Sequence, residues 1–225
     1  MRTLSTILFI CLLFFVGTVH AQWVQTNGPF HPDGMTVRCL AVSGTNLLAG
    51  THGGVFLSTN NGISWNPRGD YNWVNAFAVS GTNLFAGTGG GIFLSTNNGE
   101  SWTEVSNGLT DKDVQALTVS GTNLFAGTSS GVYLSSDNGT SWLHTSLTNT
   151  VVRTITVSGI NLFAGTFLDG VFLSTNNGAS WTQKGLTNTD VTVLNFFGTN
   201  LFAGVYSNSG GVYRSTDNGT SWNQT

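Results

Sequence analysis

Short apolar segments separated by polar turns recur along most of this chain. One unit contains "VQALTV", "NLFAG" and "GVYLS", followed by a segment that begins at a tryptophan. The turn "SGTN" separates the first two segments, and "SDNG" precedes the last. Runs rich in Val, Leu, Phe and Thr, bounded by Gly, Asn and Ser, predict β-strands joined by tight turns. Since helical periodicity is absent, the pattern predicts an all-β chain whose units have four strands, here called A to D.

The unit repeats five times along the chain. Its tryptophan stands at positions 65, 102, 142, 181 and 222, which gives spacings of 37, 40, 39 and 41 residues. A period near 40 is typical of solenoids and propellers. Because the strands carry little charge on either face, each sheet is expected to pack against neighbours on both sides, as the blade of a β-propeller does. A β-sandwich would account for the strands but not for the period.

The predicted blades span about 36–68, 73–106, 113–146, 151–185 and 190–225, and the preceding segment 22–30, "QWVQTNGPF", resembles a lone D strand. Two interpretations stay open. In the first, the five units are the front part of a ring of about six to eight blades, and the Trp23 strand completes its last blade. In the second, five blades close alone, and the Trp23 strand replaces or flanks the segment at Trp222. The stop shortly after Trp222 favours the first interpretation.

The first 21 residues are predicted to be a secretory signal peptide. Arg2 gives a positive start, Ile7 to Val16 form an apolar run, and slim residues precede the expected cleavage after Ala21. A membrane anchor is the alternative, but the run is shorter than the roughly 20 residues that span a bilayer. The mature chain, 22–225, is therefore expected to be secreted, periplasmic or on the cell surface, without a membrane span. Cys39 is then its one cysteine, so its stability must come from the core.

Charge is sparse and narrows the class of partner. Without Arg2, 6 Lys and Arg stand against 10 Asp and Glu, which gives the mature chain a net charge of −4. The chain has no basic stripe, which argues against nucleic acid and anionic membranes as partners. A protein or a glycan is therefore the expected kind of partner.

The turn between strands C and D carries the pattern S-x-[DN]-x-G-x-[ST]-W in all five units. Its Ser, Asn or Asp, Gly and Trp positions are Ser58, Asn60, Gly62 and Trp65; Ser95, Asn97, Gly99 and Trp102; Ser135, Asp137, Gly139 and Trp142; Ser174, Asn176, Gly178 and Trp181; and Ser215, Asp217, Gly219 and Trp222. The pattern resembles the Asp-box, or BNR repeat, of sialidases, sortilin-type receptors, xyloglucanases and Ycf48-type assembly factors. That resemblance implies a propeller and a hairpin between the third and fourth strands of each blade.

These positions are expected to be structural. Asn and Asp side chains accept hydrogen bonds from nearby backbone N–H groups, and Gly permits a positive φ. Three copies have Asn where Asp would be needed for a metal or an acid catalyst, so we expect neither a metal nor a cofactor at the boxes.

Variation is concentrated in the loops between strands B and C and in those between strand D and the next strand A. Variable loops on a repetitive frame are where binding is usually carried. The candidate ligand-binding residues there are Arg38, His52, Arg68, Tyr71, Arg153, Asp169 and Tyr206.

The candidates fall into three groups, each with a plainer alternative. Arg38 and Arg153 hold one position in strand A and could bind an anion or carboxylate, or could be solvated at a strand start. A second group, Arg68, Asp70, Tyr71 and Trp73, crowds one loop, where Trp73 could instead pack on the adjacent blade. His52 and Asp169 are the best acid–base candidates, although loop residues of this kind are usually solvated. Tyr206 is a loop tyrosine, whereas Tyr133 and Tyr213 occupy a core position.

Two classes of function follow. The resemblance implies a glycoside hydrolase, since sialidase-like propellers use three arginines, a Tyr–Glu pair and an Asp, and xyloglucanase-like ones use two channel-facing carboxylates. Glu100 and Glu104 both belong to the outer hairpin of the second unit, and we find no carboxylate pair at the spacing that glycoside hydrolysis needs. A non-enzymatic binding or scaffold module is therefore the favoured function, and a hydrolase with catalytic residues in missing blades is the alternative. A purely structural repeat array in a larger surface protein stays open.

Overall fold

The computed structural model of the protein describes residues 28–29, 36–71, 73–207 and 210–225. The predicted signal peptide, 1–21, and all of the lone D strand except positions 28 and 29 lie outside the described residues. The described residues form 20 β-strands and no helix, in five four-stranded sheets. The prediction of an all-β propeller chain with five blades is confirmed. Within the part of the chain that the structure describes, no helix is long and apolar enough to cross a membrane.

Each blade contains four consecutive antiparallel strands. The first contains β1 (Val37–Ser43), β2 (Asn46–Thr51), β3 (Gly54–Ser58) and β4 (Asn66–Pro67). The second contains β5 (Val74–Ser80), β6 (Asn83–Thr88), β7 (Gly91–Ser95) and β8 (Thr103–Glu104). The third contains β9 (Val114–Ser120), β10 (Asn123–Thr128), β11 (Gly131–Ser135) and β12 (Leu143–Thr148). The fourth contains β13 (Val152–Ser158), β14 (Asn161–Thr166), β15 (Val171–Ser174) and β16 (Thr182–Gln183). The fifth contains β17 (Asp190–Phe197), β18 (Asn200–Tyr206), β19 (Gly211–Ser215) and β20 (Asn223–Gln224).

The first strand of each blade is the inner one. Strands β1, β5, β9, β13 and β17 pack on one another in that order, and residues of all five line a central channel of about 270 Å³. The core lies between successive blades rather than at one centre. Phe85 and Ile92 of the second blade, for example, share a buried cluster with Leu124, Tyr133 and Trp142 of the third. The predicted core position of Tyr133 is therefore confirmed.

A glycine near the end of the B strand in each of the first four blades lets the next blade approach. A Cβ on Gly50 would lie 2.7 Å from Val74 Cγ1, and one on Gly127 would lie 2.7 Å from Val152 Cγ1. Gly87 and Gly165 meet the corresponding valines of their next blades in the same way. The "NLFAG" pattern therefore encodes blade-to-blade contact as well as a strand.

Within the part of the chain that the structure describes, nothing covers the outer faces of the first and fifth blades. Leu40 of β1 is 70% exposed, although the equivalent Leu117 of β9 is buried against the second blade. Val193 and Val212 of the fifth blade are also exposed. These residues have the apolar character of the interfaces that are buried between the other blades. The exposed faces favour the interpretation of a larger ring, which stays a prediction.

The five turns with the S-x-[DN]-x-G-x-[ST]-W pattern, here called box turns, share one hydrogen-bond network. In the first blade the Ser58 hydroxyl donates to Asn60 Oδ1 at 3.0 Å and accepts from the Gly62 N–H at 2.9 Å. Asn60 Oδ1 also accepts the N–H of Ser64 at 2.9 Å. The same bonds recur in the other four turns. A left-handed residue, Asn61 with φ 57° in the first turn, precedes each glycine.

Asparagine and aspartate make the same number of bonds in these turns. In the first blade Asn60 Nδ2 donates to Ser64 Oγ at 2.9 Å, whereas in the third blade the Ser141 hydroxyl donates to Asp137 Oδ2 at 2.6 Å. The direction of the bond reverses because a carboxylate only accepts. A negative charge is therefore not needed to form the turn.

The two box aspartates should nevertheless respond to acid. Hydrogen bonds from the side chains of Ser141 and Ser221 lower the pKa of Asp137 and Asp217 from 3.8 to about 2. Because the folded-state pKa lies below the unfolded value, the ionised groups stabilise the fold above about pH 4, and this contribution is lost as the pH falls through about 2. We expect an Asp137→Asn, Asp217→Asn double variant to match the wild type at pH 7. Between pH 4 and pH 2 its melting temperature should fall less than that of the wild type, and parallel curves would contradict this account.

Candidate binding face

The antiparallel order of strands gives the propeller two different faces. The box turns and the A–B turns lie on one face, where Ser43 Oγ of the first A–B turn donates to Asn98 Oδ1 of the second box turn at 3.2 Å. We call this the box face. The loops between strands B and C and between a strand D and the next strand A form the opposite face, called the loop face. Every candidate ligand-binding residue lies in, or at the strand ends bordering, the loops of this face.

Each inner strand has a β-bulge at the loop face. The strand pairing skips one residue at the same register in all five blades, and the skipped residues are Arg38, Asn75, Gln115, Arg153 and Thr192. Bulges bend a strand and redirect a side chain, and they are frequent beside functional sites. Residues from all five inner strands line the channel beside these bulges. The shared position of Arg38 and Arg153 in strand A could be predicted from the sequence, but the bulge could not.

Three of the five bulge residues contact the start of the next inner strand or the residue just before it. Asn75 Nδ2 donates to the carbonyl oxygen of Val114 at 2.8 Å, and Arg153 Nε donates to Asp190 Oδ1 at 3.1 Å. The guanidinium of Arg38 lies 5.5 Å from the ring centre of Trp73. These three bulge residues therefore link neighbouring blades, and all five strands place residues beside the channel.

Arg38, His52 and Trp73 form one cluster on the loop face. Arg38 Nη1 lies 3.0 Å from His52 Nε2, and a guanidinium only donates, so the arginine is the donor in this contact. The His52 ring stacks on Trp73 with centroids 4.7 Å apart. Trp73 stays 53% exposed and adopts φ 59°, which is unfavourable for a bulky side chain. Such backbone strain persists only where the surroundings enforce it and is frequent at binding sites.

Arg153 occupies the position of Arg38 but has different partners. Its Nε and Nη2 donate to the two carboxylate oxygens of Asp190, whose side chain is buried, and its guanidinium lies 5.1 Å from the ring centre of Phe167. The carboxylate that Arg153 binds therefore belongs to the chain itself. Arg153 is therefore ion-paired, whereas the guanidinium of Arg38 has no carboxylate partner among the described residues.

The other predicted residues are dispersed. Arg68 forms an ion pair with Glu100 at 2.8 Å, and Tyr71 packs on Phe93 of the second blade at 4.3 Å between ring centres. Burial raises the pKa of Tyr71. Arg68, Tyr71 and Trp73 of the predicted loop group, which also included Asp70, thus contact three different partners.

Two further predicted residues lie on the blade 4 and blade 5 side of the loop face. Asp169 accepts a hydrogen bond from the Thr150 hydroxyl at 2.6 Å. Tyr206 is 76% exposed and borders a cavity of about 530 Å³ between the fourth and fifth blades. The cavity also borders Arg153, Phe167, Leu168, Asn188 and Asp190. Sequence reasoning missed Phe167, Leu168, Asn188 and Asp190, although the apolar pair in the loop "FLDG" was a usable signal.

The titratable groups have mostly structural partners. Glu100 and Glu104 are ion-paired with Arg68 and Lys112, and Asp190 is ion-paired with Arg153. Burial raises the pKa of Cys39 to about 12, so this channel-lining thiol stays protonated. Among the described residues, no three His, Cys, Asp or Glu side chains could together hold a metal ion.

Comparisons with known proteins agree with this architecture. A model of the family described as "DUF6242 beta propeller domain" matches residues 86–196. No curated protein sequence matches this chain.

Three solved structures illustrate the similarity of fold. A GH74 enzyme of Niastella koreensis is 20% identical with a TM-score of 0.68, and the match covers 85% of this chain and 37% of that one. The extracellular domain of a proposed one-component system of B. thetaiotaomicron is 18% identical with a TM-score of 0.72, covering 84% and 27%. YCF48 bound to D1 peptide is 17% identical with a TM-score of 0.62, covering 80% and 64%. The chain thus spans only part of these proteins, and identities this low establish the β-propeller fold alone.

Proposed function

We propose that this chain is a non-enzymatic binding module that holds a protein or glycan partner on its loop face. The observation that carries the proposal is the cluster of Arg38, His52 and Trp73. It combines an arginine without a carboxylate partner among the described residues, a half-exposed tryptophan and a strained backbone at one place. Exposed Trp and Arg are the side chains that most often dominate binding energy.

The contrast between the two faces supports this choice. All five box turns repeat the same bonds, and we propose that they are Asp-box repeats whose role is to shape the hairpins. The loop face differs from blade to blade in its side chains and in the length of its loops. YCF48, which has a similar fold, was solved with a peptide bound, so a propeller of this type can hold a peptide.

Export is part of the proposal. Residues 1–21 have the features of a cleaved signal peptide, and a similar propeller forms an extracellular domain in B. thetaiotaomicron. We therefore place the mature chain, from Gln22, in the periplasm, outside the cell or on its surface, where further blades of the same polypeptide would cover the open faces.

The test begins with capture of a partner by the exported protein on a glycan array and in pull-downs from the medium. Arg38→Ala should then weaken binding about tenfold or more, because a charge-assisted contact is lost. Thr140→Ala, in the third box turn, should leave the affinity unchanged and serves as the control. Loss of affinity only in Thr140→Ala would place the partner on the box face. Release of reducing sugar from a captured glycan would show that the protein is a hydrolase.

A further inference from the structure

The cavity between the fourth and fifth blades opens on the loop face beside the ion pair of Arg153 and Asp190. Its volume is about 530 Å³, which lies within the range of about 300–1,000 Å³ that is usual for ligand pockets. It is a separate feature from the cluster of Arg38, His52 and Trp73, which joins the first and second blades. We call it the Phe167–Tyr206 pocket, after the two aromatic residues on its rim.

Three large side chains with apolar surface are exposed around this pocket, whose lining also contains the polar residues Arg153, Asn188, Asp190 and Ser207. Phe167 is 40% exposed, Leu168 is 51% exposed, and Tyr206 is more exposed than either. Leu168 adopts φ 70°, a left-handed conformation that is costly for a side chain of this kind. Large apolar side chains that are exposed together around one cavity mark an interaction site. A ligand in the pocket can therefore bury an apolar group against these three side chains.

The polar groups of the pocket carry no net charge. Asp190 is buried and accepts hydrogen bonds from Nε and Nη2 of Arg153, so the two charges offset each other. Arg153 and Asn188 line the same cavity; a guanidinium can donate to a carbonyl oxygen, and a side-chain amide can both donate to a carbonyl oxygen and accept from an N–H. Such groups match the N–H and C=O of an uncharged peptide unit.

We propose that the Phe167–Tyr206 pocket receives a large apolar side chain from an extended peptide segment of the partner. The inference rests on the proposed function, since it names the ligand of one part of the loop face. A peptide is favoured over a glycan because a sugar ring needs many hydrogen-bond partners, and here the two charged groups are already bonded to each other. The wall also includes an aliphatic side chain, Leu168, in addition to aromatic rings that could stack on a sugar.

The test is a nuclear magnetic resonance titration of the purified protein with three probes. These are the capped tripeptide amides Gly-Phe-Gly and Gly-Ala-Gly, and cellobiose. We expect the phenylalanine peptide to shift the amide signals of Phe167, Leu168 and Tyr206 saturably. The alanine peptide should bind at least about tenfold more weakly, because it lacks the ring whose burial drives binding. Cellobiose should not shift these amide signals.

Two variants and a control locate the effect. Phe167→Ala and Tyr206→Ala should each weaken binding of the phenylalanine peptide about tenfold, as expected for aromatic anchors. Phe197→Ala removes an exposed aromatic ring at the box-face end of β17 and should bind like the wild type. Unchanged signals elsewhere in the spectrum show that each variant is folded.

The outcomes separate this inference from the proposed function. Shifts caused by cellobiose but not by the phenylalanine peptide would overturn the inference in favour of a glycan site, and no shift with any probe would overturn it outright. If Arg38→Ala loses the captured partner while the pocket binds no peptide, the proposed function stands and the inference fails. If no loop-face variant affects the captured partner, the proposed function fails, and with it the claim that the pocket holds a segment of that partner, even where the pocket binds the peptide.

Discussion

Replacing Trp142 with alanine is expected to lower the free energy of unfolding by about 3–5 kcal/mol. The side chain is 2% exposed, lies in the core between the second and third blades, and donates from Nε1 to the carbonyl oxygen of Val105 at 2.8 Å. The alanine variant would leave a large cavity and an unpaired carbonyl. Urea unfolding at pH 7 followed by circular dichroism measures the loss.

Two matched variants test whether this loss depends on burial or on the box motif itself. Trp65 holds the same motif position in the first blade but is only partly buried, and its Nε1 has no hydrogen-bond partner among the described residues. Trp65→Ala should therefore cost less than Trp142→Ala. Asp137→Asn should cost little at pH 7, because asparagine serves in three equivalent turns. Equal losses in all three variants would contradict the structural interpretation of the boxes.

Replacing Gly127 with alanine is expected to destabilise the fold by about 1–3 kcal/mol through overpacking. A Cβ at this position would lie 2.7 Å from Val152 Cγ1 and 3.1 Å from the carbonyl oxygen of Val152, on the inner strand of the next blade. Neither strand can move away without opening the interface between the third and fourth blades. Thermal and urea unfolding of the variant report the loss.

Gly204 provides the control for this substitution. It has the same position in the B strand of the fifth blade, where the one atom that a Cβ would approach closely is Cγ1 of Val193 in the paired strand. Gly204→Ala should therefore cost less than Gly127→Ala, since a side-chain methyl can move more easily than backbone. A larger loss in Gly204→Ala would show that the contact between blades is not the reason for the glycine.

The blades could be predicted from the sequence because their signals are local. The turn "SGTN" at 120–123 joins β9 and β10 as expected, and the box pattern carries its own hydrogen-bonding groups within a few residues. Strand D was less predictable. It has two residues in four blades but six in the third, where β12 runs from Leu143 to Thr148, and the sequence of the outer segment contains no clear stop signal.

The candidate face could be located from the sequence, but its contacts could not. Arg38 was identified from its position in strand A and His52 from its position in a loop, and the two residues are in contact. The pairing of Arg153 with Asp190 joins residues 37 positions apart and depends on the bulge and on the angle between blades. Tyr71 packs on Phe93 because of the path of its loop across the second blade, which no local pattern records. Contacts between blades depend on the folded arrangement of the chain and therefore could not be predicted from local sequence patterns.

Hydrogen exchange of the protein with and without its captured partner tests the central claim most directly. The loop-face account predicts slower amide exchange in the partner's presence for the loops that border Arg38, His52 and Trp73, in particular residues 51–54 and 68–74. The box turns at 58–65, 95–102 and 135–142 should exchange at unchanged rates, because they lie on the opposite face. Slower exchange in the box turns with no change in the loops would contradict the account.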